Sequence, residues 1–167
     1  MTQISPTLHL ICGKAASGKS TLAAKLGQAA GTVVIAEDDW LTALFGSEMS
    51  SISDYVRCAA KLREAIGPHI VSLLKAGLAV VLDFPANTVA TRAWMRGIAE
   101  SANAAHQLHY LDVPNEICKA RLRARNASGA HPFSVTDDQF EQLAKHFVVP
   151  SEQEGFDIVR HRANDLR

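Results

Sequence analysis

Gly13, Gly18, Lys19 and Ser20 stand at the spacing G-x-x-x-x-G-K-S within GKAASGKS, residues 13–20. Each residue type suits one part of a polyphosphate. Glycine admits backbone angles that a side chain forbids. The N–H groups of Lys14, Ala15, Ala16 and Ser17 can then converge on one anion. A helix opening at the end of the loop adds unpaired N–H groups and the positive end of its dipole. Lys19 brings a formal charge to the β- and γ-phosphates, the Ser20 hydroxyl suits Mg²⁺, and Thr21 can reach the α-phosphate. The stretch is expected to hold a nucleoside triphosphate, ATP with Mg²⁺, on residues Gly13 to Thr21. A dinucleotide-binding G-x-G-x-x-G fails on spacing, and the sequence has no N-K-x-D for guanine.

A phosphate cradle alone does not set the reaction, so the acids and arginines further along decide it. EDDW (37–40) follows a strand-like run. A carboxylate there can orient an acceptor hydroxyl and take its proton. Asp38 is the first candidate and Asp39 the second; the bland alternative is a cap for a helix starting near Trp40. Asp83 ends the apolar run LAVVLD and is expected to help hold Mg²⁺ through water, or to meet the acceptor. Asn87 and Thr88 follow, as caps of the next helix or, for Asn87, as a substrate contact. Arg121 and Arg125 lie four apart on one helical face, with Arg123 pointing elsewhere. They are expected to meet the nucleotide, with Arg125 steadying charge on the transferring group. Arg92 is a further substrate-side candidate, and Tyr55 and Arg57 are placed at the border of the acceptor site. His131 has a substrate contact as the sharper reading and a surface role as the favoured one.

These residues need a scaffold, and the hydrophobic pattern supplies one. Strand-like runs at 7–12, 32–36, 78–83, 106–112 and 156–161 alternate with helical patterns at 20–30, 54–77, 89–105, 114–126 and 135–147. Pro68 marks a place where the second helix can bend or split, and Thr136 is placed as a helix cap. Strands reading as buried on both faces, alternating with helices, predict a three-layer α/β fold with a parallel sheet. One domain over residues 1–167 is expected, with ASGAHPF (127–133) as a loop in a lid spanning about 121–137.

Composition narrows the partners. Lys plus Arg and Asp plus Glu number 17 each, so no global charge draws the chain to nucleic acid or an anionic membrane. No apolar run approaches the roughly 20 residues of a membrane span, and the first residues lack the pattern of a signal peptide. Three cysteines without CxxC spacing point to free thiols in a reducing cytoplasm.

GKAASGKS, EDDW, VVLDFPANT with Arg92, the ARLRAR helix and HFVVPSEQEGF resemble, in content and order, small P-loop kinases of the AAA_33-like group. That group includes zeta toxin, chloramphenicol phosphotransferase and the polynucleotide 5′-kinase domain. The resemblance spans residues 7–161 and implies a five-stranded parallel P-loop NTPase sheet of order 2-3-1-4-5. It implies Asp38 as general base, Asp83 as strand-end acid, Arg121 and Arg125 as nucleotide-side lid arginines, and Phe147, Pro150 and Glu154 as an F-x-x-P-x-x-x-E tail. Where the polynucleotide kinase pattern has an arginine three residues after the base, this chain has Leu41. The expected activity is ATP- and Mg²⁺-dependent phosphoryl transfer to a hydroxyl of a small molecule. The rivals are a 5′-hydroxyl polynucleotide kinase and a nucleotide-dependent binding module without an acceptor.

Overall fold

The computed structural model describes residues 6–129 and 134–165. Five strands form one sheet: β1 (Thr7–Cys12), β2 (Thr32–Ala36), β3 (Ala79–Pro85), β4 (Ala105–Asp112) and β5 (Ile158–Arg162). Their order is β2-β3-β1-β4-β5 and every pairing is parallel, the P-loop NTPase arrangement. Among the described residues six α-helices connect them: α1 (Lys19–Leu26), α2 (Glu37–Phe45), α3 (Ile52–Lys75), α4 (Val89–Ser101), α5 (Asn115–Ser128) and α6 (Asp137–Lys145).

Alternation along the central strands builds two cores, because successive side chains face opposite sides. Leu8, Leu10 and Cys12 of β1, with Val80, Leu82 and Phe84 of β3, meet the apolar faces of α3 and α4. Ile11, Val81 and Leu111 face the other way, onto Leu22 and Ala23 of α1. A third cluster lies apart from the sheet: Val113, Cys118 and Leu122 pack with Phe140 of α6 and cover Ala15 and Ala16 of the glycine-rich loop. Of the buried residues named, only Leu122 falls within the 121–137 stretch; Val113, Cys118 and Phe140 flank it. His131 and Pro132, within the 127–133 loop, lie outside the described residues.

Several element boundaries depart from the sequence reading. The first helix ends at Leu26 rather than residue 30. At Gly27 a Cβ would stand 2.3 Å from Val34 Cγ2, so the chain must turn close against β2 there. α2 opens at Glu37, directly after β2, with Ala36 as an extended cap residue that has no capping side chain. Asp38 and Asp39 are thus not caps of a helix near Trp40; with Glu37 they fill the first turn, where the helix dipole favours carboxylates. α3 runs through Pro68 without interruption. Pro68 sits on the exposed face, where water can serve the carbonyl it leaves undonated. Thr136 caps α6 in a capping box with Gln139, as expected.

Candidate functional site

The glycine-rich loop leaves β1 at Gly13 and enters α1 at Lys19. Gly13 can carry no side chain: a Cβ would lie 2.4 Å from Ser17 Oγ and 3.1 Å from Leu111 Cβ. Gly18 (φ 105°) and Ala16 (φ 59°) take left-handed angles, the backbone shape that turns N–H groups inward. No side chain caps α1, so its first N–H groups are open to an anion. Ser17 Oγ is buried and has no partner among the described residues.

Lys19 Nζ folds over the loop and donates to the carbonyls of Gly13 (2.9 Å) and Lys14 (3.0 Å). Burial pulls its pKa down, while Asp83 and Asp38 push it back up. Lys14 Nζ donates to Asn115 Oδ1 at 2.6 Å and lies over the Phe147 ring. Ser20 Oγ donates to Asp83 Oδ2 at 2.8 Å. Burial raises the Asp83 pKa, against the Ser20 hydrogen bond and the Lys19 charge. A hydroxyl and a carboxylate held together beside a phosphate cradle are hard oxygen donors, and they fit Mg²⁺.

All of these open into one cleft of about 1040 Å³. Lys14, Ala15, Ala16, Gly18, Lys19, Ser20 and Thr21 line it, with Asp83 and Asn87 held against the loop by Ser20 and Gly13, and Asp38 lines it as well. Arg121 and Arg125 close it from α5. Arg121 Nη1 reaches Ser17 O at 3.4 Å, and Arg125 Nε is buried without a partner among the described residues. Arg123 turns away to Asp137, as its position predicts. Of the two acid candidates, Asp38 lines the cleft, while Asp39 is exposed and does not.

Two expected substrate contacts have other work. Arg92 is fully buried. Its Nε and Nη2 donate to Glu154 at 2.8 and 3.2 Å, and its Nη1 donates to the carbonyls of Ala86 and Val148 at 2.9 Å each. With its donors so engaged, it does not reach a substrate. Burial works against the Glu154 carboxylate, yet Arg92 and the Ser151 N–H hold its pKa below the ordinary glutamate value. The Phe147–Glu154 tail is thus a strap pinned to Arg92 of α4, with Phe147 at its start lining the cleft. Asn87 lines the cleft, but its amide clamps Gly13, accepting from the N–H at 2.9 Å and donating to the carbonyl at 2.8 Å. Thr88, not Asn87, caps α4. Tyr55 does line the cleft; Arg57 pairs with Asp54 at 3.6 Å and does not.

Sequence reasoning missed Glu37 and Arg63. Glu37 is buried, accepts from the Tyr55 hydroxyl, and meets Arg63 Nη2 at 3.4 Å. Burial pushes its pKa up, opposed by Tyr55 and Arg63. A signal was available: Arg63 follows Ala59 by four residues and precedes Ile66 by three, on the buried face of α3. An arginine there needs a partner.

Sheet order, loop and strand-end acid together define a P-loop NTPase fold. The AAA_33 family, described as an AAA domain, matches residues 8–150, and the chain belongs to that family. No curated protein sequence matches the chain. Solved structures share the fold at low identity. A chain from Chloroflexus aurantiacus j-10-fl, described as a candidate kinase, is 17% identical with a TM-score of 0.75, over 97% of this chain and 87% of its own. Mycobacterium tuberculosis APS kinase CysC, in complex with AMPPNP and APS, is 19% identical with a TM-score of 0.61, over 95% and 88%. A chain of the Pnkp1/Rnl/Hen1 RNA repair complex is 19% identical with a TM-score of 0.62, over 87% of this chain and 45% of its own. Among the described residues no helix is long and apolar enough to cross a membrane.

Proposed function

We propose that the chain is an ATP-dependent kinase that transfers the γ-phosphoryl group to a hydroxyl of a small molecule. The observation that carries this reading is that Asp38 faces the same cleft as Lys19 and the Ser20–Asp83 pair. A nucleotide-binding switch needs the loop and the metal pair but has no use for a carboxylate at the acceptor side.

In this reading the loop N–H groups and Lys19 hold the phosphates of ATP. Ser20 and Asp83 would hold Mg²⁺, which when bound would neutralise charge on the phosphates. Asp38 accepts the proton of the acceptor hydroxyl as its oxygen bonds to the γ-phosphorus. The bond to the β–γ bridging oxygen breaks and ADP leaves. Arg121 and Arg125 steady the equatorial oxygens as charge moves. The neighbouring kinase solved with APS supports a small acceptor, and neutral overall charge disfavours nucleic acid. Three free, buried cysteines suit a reducing compartment such as the cytoplasm.

The test supplies γ-labelled ATP and Mg²⁺ with a small-metabolite extract and, separately, with RNA, for wild type and Asp38→Asn. Label entering small molecules, and lost in the variant, is the expected result. Label entering RNA would replace the small acceptor by a polynucleotide end. Absence of Asp38-dependent transfer in both extracts would overturn the kinase reading in favour of a nucleotide switch.

A further inference from the structure

The end of the cleft away from the phosphate loop has its own charged device. Among the described residues, Arg63 is the one lysine or arginine lining the cleft outside the loop and α5. It leaves α3 two turns beyond Tyr55, so both side chains present to the same side. Glu37 ties them together, receiving the Tyr55 hydroxyl on Oε1 and Arg63 Nη2 on Oε2. Behind the guanidinium lies Trp94 of α4, with its ring centroid 5.7 Å from Arg63 Cζ. Gly67 of α3 lies beside the same ring: a Cβ built there would meet Trp94 Cζ2 at 3.7 Å, an ordinary van der Waals contact. Arg63 is therefore fixed by a carboxylate on one edge and an indole face on another. Its Nε is buried and has no partner among the described residues. A buried donor left unmade is costly, and a planar guanidinium with free N–H groups matches the paired oxygens of a carboxylate or phosphate.

Glu37 immediately precedes Asp38 in the first turn of α2. The anchor and the proposed base thus share one rigid turn, which suits a compact acceptor touching both. Leu41, one helical turn beyond Asp38, is fully buried in the sheet core and offers the cleft no charge. A single guanidinium matches a single anionic group; a nucleic-acid strand would need further cations along its path.

We infer that Arg63 anchors the acceptor, and that the acceptor is a small alcohol carrying one oxyanion group, a carboxylate or a phosphate monoester, beside the hydroxyl that is phosphorylated. Glu37 and Trp94 are positioning residues for it. This inference rests on the phosphotransfer reading.

Anion binding can be read without turnover. The chain has two tryptophans, Trp40 and Trp94, and Trp40 is exposed on α2 outside the cleft lining. With Trp40→Phe as background and AMPPNP·Mg²⁺ filling the phosphate loop, Trp94 fluorescence is followed while inorganic phosphate or, separately, acetate is added. The expected result is a saturable change with at least one of the two anions, identifying phosphate or carboxylate as the preferred group. Its affinity should fall about tenfold or more in Arg63→Gln, the loss of a charge-assisted hydrogen bond. Because Arg63→Gln leaves Glu37 buried without its cation, the double variant Glu37→Gln/Arg63→Gln serves as a second, charge-balanced test with the same expected loss. No saturable change with either anion, or equal affinities in wild type and a folded variant, would overturn the inference. Failure of the phosphotransfer reading leaves a different mark: Arg63-dependent anion binding with no transfer of label.

Discussion

The two ends of the cleft are built in opposite ways. The phosphate end comes from one contiguous stretch, Gly13 to Thr21, shaped by backbone angles and reinforced by Asn87, Asp83 and the α5 arginines. The acceptor end is assembled from distant side chains, Glu37 and Asp38 on α2, Tyr55 and Arg63 on α3, with Trp94 of α4 behind. Polyphosphate is the same in every triphosphate, so a fixed backbone cradle serves it. An acceptor hydroxyl is defined by what surrounds it, and side chains can change that without disturbing the loop. In the proposed reading the architecture separates holding the donor from choosing the acceptor, and substitutions can pull the two apart.

The largest expected effect breaks both ends at once. Buried Arg92 of α4 pins the strap through its pair with the half-buried Glu154 and holds the Ala86 carbonyl just beyond β3. Arg92→Ala leaves that carboxylate unpaired and is expected to cost about 3–5 kcal/mol. Thermal unfolding should show a melting temperature lower by on the order of 10 °C. An unchanged melting temperature would remove the strap from the account.

Lys19→Ala should disable the phosphate end alone. Turnover is expected to fall roughly 10²–10³-fold, with weaker ATP binding by calorimetry and no change in the Trp94 response to anions. A variant that keeps full turnover would contradict the role of the loop lysine. Arg121→Ala sharpens the same contrast with a smaller change. An increase of about tenfold in the ATP KM is expected, with the acceptor KM held; a shift in the acceptor KM alone would place Arg121 at the wrong end.

The smallest effect concerns stability and should leave both ends equally affected. His9, His109 and His161 form a ladder across β1, β4 and β5, with ring nitrogens 3.1 and 3.0 Å apart. Burial, then the neighbouring His9 and His161, lowers the His109 pKa to about 4. Between that value and the ordinary histidine value of 6.5, the unfolded chain holds more protons than the folded one. Stability is therefore full above about pH 6.5 and is lost as pH falls toward 4. Melting curves at pH 7 and pH 5 should differ by on the order of 5 °C, and His109→Gln should flatten the difference.

The contrast between the two ends also explains what the sequence made legible. The loop could be read because its residues are adjacent and each type has one physical reason to be there. The sheet order followed from the family resemblance, and strands reading as buried on both faces predicted helices on both sides of the sheet. Asp38 could be singled out because it follows a strand end, although the helix begins at Glu37 and not near Trp40. Arg92 misled because its place on α4 says nothing of the strap that folds over it from 62 residues further along. The Glu37–Arg63 pair, 26 residues apart, forms no local pattern. Only the arginine's place on the buried face of α3 hinted at it. Contacts that depend on tertiary convergence are invisible to spacing.

In the proposed reading the cleft joins a nucleotide holder to a separate proton acceptor, Asp38. The most direct measurement is ATP·Mg²⁺ affinity by calorimetry alongside phosphoryl transfer for Asp38→Asn. Affinity within about twofold of wild type, with transfer reduced roughly 10²–10⁴-fold, is the predicted result. Undiminished transfer, or transfer lost only in step with ATP binding, would contradict it.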